Sequence, residues 1–310
     1  MNTNRRKGDA LAATTMSDDA PDWFRQALQH PVTSACIDVD DCDIHFLKWD
    51  APADSSAETP NILFIHGRGA HANWWRFIAP YFTGNYRVAA MDLSGMGDSG
   101  YRSAYTPDMF AREIRAVLDH LQFHRNTVIV GHSFGGLMSM KFGALHGADY
   151  AGIVIVDSPV PDPQNGPMPD PAEARKLGRK LYPDRDTAIS RFRFLPEQPV
   201  VNPYIFDFIA QTSIAEFDEG WSWKADLQIL EPGRFGENYS EELRSMKGRK
   251  ALIYGAKSAL ITEDVATYMG SLMGPDAPVI EIPEAYHHLI LDQPLAFVST
   301  LRALLATWKV

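Results

Sequence analysis

One serine of the chain stands in a setting that suits a nucleophile. Ser133 lies within Gly131-His132-Ser133-Phe134-Gly135-Gly136, after the apolar run 127–130 and before a stretch with helical spacing. A nucleophile on a very tight turn needs neighbours without side chains, because the strand and the helix must approach each other closely. The pattern predicts that the Ser133 hydroxyl attacks substrate. A glycine-rich turn with an incidental serine is the structural alternative.

A serine hydroxyl is a poor nucleophile at neutral pH. It needs a base that removes its proton and donors that hold the oxyanion. The apolar run 62–65 leads into the flexible loop His66-Gly67-Arg68-Gly69, which can direct a backbone N–H at the substrate oxygen. We therefore predict the main-chain N–H groups of Arg68 and Phe134 as the oxyanion donors.

Four segments of the chain resemble the α/β-hydrolase superfamily. They are His66-Gly67, Met91-Asp92-Leu93-Ser94-Gly95-Met96-Gly97-Asp98-Ser99, the turn around Ser133, and Tyr286-His287-His288-Leu289-Ile290-Leu291-Asp292-Gln293-Pro294. The likeness extends from about residue 34 to the end, apart from the stretch 158–246. It implies an α/β-hydrolase fold. Members of the superfamily cleave esters, lactones, epoxides, carbon–halogen and carbon–carbon bonds, so the fold alone does not define the substrate.

The resemblance also implies which histidine is the base. In similar proteins the catalytic histidine precedes the start of the last helix by a short loop. Here His287 follows the apolar run 279–282 and stands five residues before Asp292. His287 is therefore the predicted base, and the adjacent His288 is the competing candidate.

The acid departs from the commonest pattern of the superfamily. Many relatives carry an aspartate as Gly-x-x-Asp after the strand that is 251–254 here, but this chain has Ser258 at that position. Serine cannot supply the charge that stabilises an imidazolium. Some members, certain haloalkane dehalogenases among them, carry the acid one strand earlier, where this chain has Asp157. We predict Asp157 as the acid, with Glu263 or Asp264 as the alternatives.

Other polar residues have structural interpretations. Asp92 and Asp98 belong to a glycine-rich loop, in which short polar side chains bond to the backbone of a turn. His66 and His132 are expected to pack around turns, and His71 to lie in a loop near the pocket.

The elements that must hold these residues alternate along the chain. Dense apolar runs indicate strands buried on both faces, at 62–65, 87–91, 127–130, 153–156, 251–254 and 279–282. Helical spacing occurs at 107–121, 135–146, 262–272 and 294–308. A short helix at 23–29 precedes two alternating runs, 35–39 and 44–49, which predict an antiparallel edge hairpin. The alternation predicts an α/β protein with a doubly wound, mostly parallel sheet.

The alternation stops between residues 158 and 246. This stretch begins rich in proline and continues with aromatic segments at 204–208 and 221–223, which we interpret as helical. It predicts a mainly helical cap, inserted into a catalytic domain made of 22–157 and 247–310. An apolar pocket is expected from Trp74, Trp75, Phe134, Phe192, Phe194, Tyr204, Phe206, Trp221 and Trp223. Many aromatic residues at helical spacing are ordinary core. Arg191 and Arg193 are interpreted as solvated charges.

Composition narrows the class of protein. The chain has 310 residues, of which 45% are hydrophobic, so disorder of the whole chain is excluded. A net charge of −10 without a basic stripe disfavours nucleic-acid binding. Cys36 and Cys42 are interpreted as reduced thiols. Residues 1–21 are expected to be a disordered leader without a signal-peptide core, and no apolar run is long enough to span a membrane. A cytoplasmic protein is expected.

The nucleophile narrows the chemistry. In the superfamily that the chain resembles, epoxide hydrolases and haloalkane dehalogenases use an aspartate nucleophile. A serine at position 133 therefore disfavours both activities. We expect cleavage of carboxylic esters of small to medium apolar substrates through an acyl-enzyme, with no metal or cofactor. A carbon–carbon bond or lactone hydrolase, or a cofactor-free haloperoxidase or perhydrolase, would use the same triad. A small-ligand binding protein without turnover is the alternative of another class, and the oligomeric state stays open.

Overall fold

The computed structural model describes residues 14–51, 55–56, 58–165, 180–231 and 235–310. Within these ranges the strands are β1 (Val32–Asp38), β2 (Asp43–Trp49), β3 (Asn61–Ile65), β4 (Arg87–Met91), β5 (Thr127–His132), β6 (Gly152–Val156), β7 (Ile214–Phe217), β8 (Gly220–Trp223), β9 (Arg249–Gly255) and β10 (Val279–Ile282). The helices are α1 (Asp22–Gln29), α2 (Pro107–Leu121), α3 (Phe134–His146), α4 (Arg185–Ser190), α5 (Pro203–Thr212), α6 (Leu227–Leu230), α7 (Ser240–Ser245), α8 (Glu263–Met273), α9 (Leu289–Asp292) and α10 (Pro294–Trp308).

Eight strands form one sheet in the order β1-β2-β4-β3-β5-β6-β9-β10. The pairs β1–β2 and β2–β4 are antiparallel, and the other pairs of this sheet are parallel. The predicted edge hairpin and the predicted mostly parallel sheet are confirmed. One expectation was wrong: β10 is not buried on both faces, and Val279 is 40% exposed. As the outermost strand, β10 has a neighbouring strand on one side only.

Apolar cores cover both faces of the sheet. Successive residues of a strand point to opposite faces. Accordingly, Ile62 and Phe64 of β3 join the core that contains α1 and α10, whereas Leu63 and Ile65 join the core that contains α2, α3 and α8. The predicted helices at 23–29, 107–121, 135–146, 262–272 and 294–308 are therefore confirmed as the outer layers of a doubly wound fold.

The stretch 158–246 adds short elements between β6 and β9. In its described part it contains α4, α5, α6 and α7, together with the antiparallel hairpin β7–β8. The helical interpretation of 204–208 is confirmed by α5. That of 221–223 was wrong, because these residues belong to β8, which follows the turn at residues 218–219 and begins at Gly220 with φ 138°. Residues 166–179 and 232–234 of the predicted cap lie outside the described residues.

The described residues before α1 contact the rest of the protein, and both cysteines are free thiols. Residues 1–13 of the predicted leader lie outside the described residues, and the backbone of Thr15 exchanges hydrogen bonds of 2.8 and 2.9 Å with the Gln211 side chain. Ala20 is buried against the core. Cys36 is exposed, Cys42 is buried, and both are free. Among the described residues, every helix is too short or too polar to cross a membrane.

Candidate active site

Ser133 occupies the turn between β5 and α3. Its backbone has φ 52° and ψ −121°, a region that costs about 1–3 kcal/mol for a residue other than glycine. The Ser133 N–H donates to the carbonyl of Val156 at 2.8 Å, and the Ser133 carbonyl accepts from the N–H of Gly136 at 2.9 Å. The neighbouring strand and the first turn of α3 therefore hold the serine in this unfavourable geometry.

The glycines around Ser133 are required by close approach. A Cβ atom at Gly135 would lie 2.4 Å from the carbonyl oxygen of His66, and one at Gly131 would lie 2.5 Å from Oγ of Ser139. Side chains at either position would push α3 away from the strands. The sequence pattern was thus correctly interpreted as a packing requirement.

Three predicted side chains meet at the carboxyl ends of the parallel strands. His287 Nε2 lies 2.9 Å from Oγ of Ser133, and His287 Nδ1 lies 2.8 Å from Oδ1 of Asp157. A carboxylate accepts only, so Nδ1 carries the proton and Nε2 accepts from the serine hydroxyl. His287 is 2% exposed and Asp157 is 0% exposed, so the bond between them is shielded from bulk water, whereas Ser133 is half-buried.

Asp157 is held by donors from a third segment of the chain. The Gly255 N–H donates to Oδ2 at 2.9 Å, and the Ser258 hydroxyl donates to Oδ1 at 2.7 Å. These hydrogen bonds stabilise a buried carboxylate, which would otherwise be costly. Ser258 stands where many relatives carry the acid itself. The departure of the sequence at that position is the signal that could have predicted this contact.

The alternative candidates lie elsewhere. Glu263 and Asp264 are exposed in the first turn of α8. The His288 ring donates from Nε2 to the carbonyl of Pro196 at 3.2 Å, and its backbone N–H donates to Oε1 of Gln198 at 2.8 Å. His288 is thus bonded to the stretch 180–231 rather than to Ser133 or Asp157.

Asp292 fixes the loop that carries His287. Its carboxylate accepts from the Tyr286 N–H at 2.9 Å and from the Gln198 side-chain amide at 2.8 and 3.0 Å. Burial raises the pKa of Asp292 to about 6, against the opposing effect of these hydrogen bonds. Asn202 adds an amide donor to the carbonyl of Leu291 at 2.7 Å. The histidine loop is therefore bonded to the inserted stretch as well as to the sheet.

The predicted oxyanion donors flank Ser133. Phe134 is the first residue of α3, and N–H groups of a first helical turn have no acceptor within the helix. A Cβ atom at Gly67 would lie 3.2 Å from Cβ of Ser133, so the backbone just before Arg68 runs beside the serine. Arg68 itself is half-buried at the wall of the adjacent cleft.

His66 and Met96 hold this loop. The His66 ring donates from Nδ1 to the Gly67 carbonyl at 2.7 Å and accepts at Nε2 from the Leu93 N–H at 3.1 Å. Burial keeps the pKa of His66 below its ordinary value, which suits a ring that must accept at one nitrogen. The Gly69 N–H lies 3.2 Å from Sδ of Met96. The expected packing role of His66 matches these contacts.

A cleft opens beside these residues, and its walls are mostly apolar. It is lined by Arg68, Gly69, Trp74, Phe192, Arg193, Phe194, Leu195, Ser213, Trp223, Ala225 and Leu230. The two predicted tryptophans separate here. Trp74 lines the cleft, whereas Trp75 is fully buried with its ring stacked on Phe64 at a centroid distance of 4.6 Å. Neighbouring residues of a short helical turn point in different directions, so only one of them reaches the cleft.

Of the predicted aromatic residues in the inserted stretch, some line the cleft and the others pack elsewhere. Phe192, Phe194 and Trp223 line the cleft. Tyr204 packs on Phe24 at 5.0 Å, and Phe206 packs behind the cleft on Phe194 at 5.1 Å. Trp221 pairs with Tyr182 through the backbone. Arg193 is exposed at the cleft, and Arg191 is exposed beyond it.

A second hydrogen-bonded set of Ser, His and Asp lies toward the β1 edge of the sheet. Ser34 Oγ is 2.8 Å from Nε2 of His45, and His45 Nδ1 is 2.7 Å from Oδ2 of Asp92. Burial opposes charge on His45, but its hydrogen bond to Asp92 and the charges of Asp92 and Asp98 raise the pKa of His45. Burial likewise opposes charge on Asp92, and His45 outweighs it and holds the pKa of Asp92 well below its usual range.

Asp92 and Asp98 act as the loop residues that the sequence suggested. Asp92 accepts from the N–H groups of Ala72 and Asp98, at 2.5 and 2.8 Å. Asp98 accepts from the Lys224 ammonium at 2.7 Å, which links the loop to the inserted stretch. His71 donates from Nε2 to Oγ of Ser213 at 2.8 Å.

A family model and two curated proteins are similar to this chain in sequence. The sequence model of the alpha/beta hydrolase family matches residues 62–300. The chain is 27% identical over 239 residues to the dihydrolipoyllysine-residue acetyltransferase component of an acetoin cleaving system of Pseudomonas putida, covering 76% of this chain and 60% of that protein. It is 25% identical over 260 residues to the pimeloyl-(acyl-carrier protein) methyl ester esterase of Chromobacterium violaceum, covering 82% of this chain and 97% of that protein.

A solved structure agrees at the level of the fold. The thioesterase domain from the curacin biosynthetic pathway superposes with a TM-score of 0.73 and 22% identity, covering 88% of this chain and 99% of that domain. At this identity the likeness concerns the fold alone. The family match covers most of the sheet, the serine turn and the histidine loop, and the chain therefore belongs to the alpha/beta hydrolase family.

Proposed function

We propose that the protein is a serine esterase that cleaves carboxylic esters through an acyl-enzyme. Ser133 is the nucleophile, His287 the general base and Asp157 the orienting acid. The observation that carries the proposal is a continuous hydrogen-bonded chain, 2.9 Å from Ser133 to His287 and 2.8 Å from His287 to Asp157, that begins at a serine with positive φ at the start of α3. Geometry of this kind is how such triads are recognised on any fold.

In the proposed acylation, Oγ of Ser133 attacks the ester carbonyl carbon and its proton passes to Nε2 of His287. Asp157 stabilises the imidazolium through the bond to Nδ1. The backbone N–H groups of Arg68 and Phe134 receive the negative charge that develops on the carbonyl oxygen. The tetrahedral intermediate then collapses, the carbon–oxygen bond to the alcohol breaks, and His287 returns its proton to the leaving alkoxide.

Deacylation repeats these steps with water. His287 removes a proton from a water molecule as the water oxygen attacks the acyl-enzyme carbonyl. Collapse of the second tetrahedral intermediate releases the carboxylic acid, and the proton on Nε2 returns to Ser133. The enzyme is regenerated without any net change in its own protonation.

The cleft supports small to medium apolar substrates. Phe192, Phe194, Trp223 and Leu230 supply apolar walls, and they come from the stretch 158–246 that we propose as the cap. The contacts of Gln198 with the histidine loop support this assignment. The name of the Chromobacterium relative, a methyl ester esterase, is consistent with ester cleavage.

The test is the initial rate of hydrolysis of p-nitrophenyl esters of increasing acyl length, with the wild-type protein and Ser133→Ala. We expect hydrolysis with an optimum among the short to medium acyl chains, and rates near the uncatalysed background for the variant. Equal rates in both proteins would exclude Ser133 as the nucleophile. An inactive wild-type protein would contradict the esterase and favour a carbon–carbon or lactone substrate, or binding without turnover.

A further inference from the structure

Three histidine rings cluster at the proposed active site. His132 precedes the serine turn, and His287 and His288 are adjacent in the loop after β10. Their ring centroids lie 5.0 Å apart for His132 and His287, 5.6 Å for His132 and His288, and 4.8 Å for His287 and His288. One ring nitrogen from each histidine lies within 4.8 Å of one from each of the others. The spacing along the sequence gave no sign of this cluster.

Each ring carries an unprotonated nitrogen. His132 donates from Nε2 to the His287 carbonyl at 3.0 Å, and His288 donates from Nε2 to the Pro196 carbonyl at 3.2 Å. Their Nδ1 atoms are buried and have no hydrogen-bond partner among the described residues. Each of these two rings therefore donates at Nε2 and leaves Nδ1 to carry the lone pair. His287 has its lone pair on Nε2, because Nδ1 donates to Asp157.

Neutral imidazoles are the form in which histidine binds metal ions. A ligand histidine typically donates its other ring N–H to a carboxylate or a backbone carbonyl, which fixes the tautomer. All three rings already have such an acceptor, namely Asp157, the His287 carbonyl and the Pro196 carbonyl. The orienting contacts of a three-histidine site are therefore present before any ion binds.

The ligand set selects the class of ion. Three imidazoles suit Zn²⁺ and similar first-row transition ions, whereas Mg²⁺ and Ca²⁺ prefer oxygen ligands. Tetrahedral binding with Zn–N bonds of about 2.1 Å places the ligand nitrogens about 3.4 Å apart. The widest pair in the cluster, at up to 4.8 Å, would have to close by about 1.4 Å. Binding therefore requires the three rings to approach one another by a displacement of this size.

We propose that His132, His287 and His288 form a binding site for a Zn²⁺-class ion, and that the bound ion inhibits hydrolysis. An ion on Nε2 of His287 occupies the lone pair that accepts the proton of Ser133, so the serine is no longer activated. The inhibitory effect rests on the proposed function, whereas binding of the ion does not.

A second cluster of potential metal ligands among the described residues does not form a comparable binding site. His45, Asp92 and Asp98 also lie within reach of one another. However, Asp92 is already engaged by His45 and two backbone N–H groups, and Asp98 is bonded to the Lys224 ammonium. An ion there would have to displace a cation and several hydrogen bonds.

The test uses the full chain and two probes, the visible absorption of Co²⁺ and the inhibition of ester hydrolysis by Zn²⁺. His288→Gln removes the imidazole and keeps an amide that can donate to Pro196, and His132→Gln is the second variant should the first fail to fold. His71→Gln is the matched control, because His71 is also buried with an unpaired Nδ1, and its pKa is lowered by burial to about 3, but it bonds to Ser213 outside the cluster.

We expect tetrahedral Co²⁺ bands, inhibition by Zn²⁺ that a chelator reverses, and at least about tenfold weaker binding in His288→Gln than in His71→Gln. Ser133→Ala should give the same Co²⁺ bands, which separates metal binding from the proposed esterase. Absence of both the bands and the inhibition would overturn the proposal. Equal metal affinity in His288→Gln and the wild-type protein would overturn it as well, because the ion would then bind elsewhere.

Discussion

Two regions of the molecule hold a serine, a histidine and an aspartate in nearly the same geometry. The bonds measure 2.9 and 2.8 Å along Ser133, His287 and Asp157. They measure 2.8 and 2.7 Å along Ser34, His45 and Asp92. Distances alone therefore do not separate a catalytic chain from a structural one, and the difference must come from the backbone and the protonation of each histidine.

The backbones around the two serines differ. Ser133 has a positive φ at the head of α3, with the Phe134 N–H and the loop of Arg68 beside it. Ser34 lies within the edge strand β1, in register with Leu47 of β2. The serine turn thus places the first N–H groups of a helix and the loop of Arg68 beside the hydroxyl, whereas Ser34 has no helix start next to it.

The two histidines also differ in where the proton resides. Against the opposing effect of burial, the hydrogen bond to Asp92 raises the pKa of His45, and His45 lowers the pKa of Asp92, so the charged forms of both groups are favoured. A protonated His45 has no lone pair, and it donates to Ser34 instead of accepting its proton. His287 accepts from Ser133 and is the ring that can act as a base. We therefore propose that the hydrogen-bonded residues Ser133, His287 and Asp157 activate a serine, whereas Ser34, His45 and Asp92 fasten the β1–β2 hairpin to the loop after β4.

The largest expected effect is on turnover when the two serines are exchanged for alanine. Ser133→Ala should lower kcat/KM for an ester by roughly 10⁴-fold or more, because the nucleophile is lost. Ser34→Ala should stay within about twofold, since surface substitutions of this kind are usually mild. Steady-state kinetics on the preferred p-nitrophenyl ester measures both. A large loss of kcat/KM in Ser34→Ala at an unchanged melting temperature would contradict the structural role of Ser34.

The two aspartates give the next contrast. Asp157→Asn should lower kcat by roughly 10⁴-fold, because the amide favours the wrong histidine tautomer and cannot stabilise the imidazolium. Asp92→Asn should change kcat per folded molecule by less than about tenfold. Enzyme concentrations are corrected for the folded fraction by circular dichroism. Wild-type turnover in Asp157→Asn would refute its assignment as the acid.

The two aspartates should differ in the opposite order in their effect on stability, with Asp92→Asn the more destabilising variant. Asp92→Asn leaves His45 buried without its partner and should lower the free energy of unfolding by about 3 kcal/mol. The pKa of His45 is raised, so its contribution is full below about pH 6.5 and is lost as the pH rises through the raised value. The pKa of Asp92 is lowered, so its contribution is present above about pH 3.8 and is lost on acidification. Urea titrations should therefore find the largest difference from wild type between these limits, and a difference independent of pH would contradict the ion pair.

The smallest effect is expected at Ser258. Ser258→Ala removes one of the donors to Asp157 and leaves the Gly255 N–H and His287 in place. A hydrogen bond to a charged group contributes about 1.5–3 kcal/mol, and part of this loss falls on stability, so kcat should fall by about tenfold or less. Kinetics and urea unfolding on the same preparation divide the two effects. A loss as large as that of Asp157→Asn would show that Ser258 is indispensable for the acid.

Local patterns predicted most of the fold and part of the site. The strands, the main helices and the turn of Ser133 could be predicted because apolar runs, helical spacing and glycine turns act over a few residues, whereas His287 and Asp157 were predicted from the resemblance to the superfamily. The Ser258 bond to Asp157 joins residues 101 positions apart, and the bond from His45 to Asp92 joins residues 47 apart. Such contacts depend on which strand ends become neighbours in the sheet, and a single sequence does not encode this locally. The different directions of Trp74 and Trp75 depend on tertiary packing in the same way.

The most direct test of the central claim is to find which serine is activated. The protein is treated with a fluorophosphonate, which phosphonylates activated serines, and the adduct is located by peptide mass spectrometry. The account predicts one adduct on the peptide that contains Ser133, none in Ser133→Ala, and unchanged labelling in Ser34→Ala. Labelling of Ser34, or labelling of Ser133→Ala at the wild-type level, would contradict it.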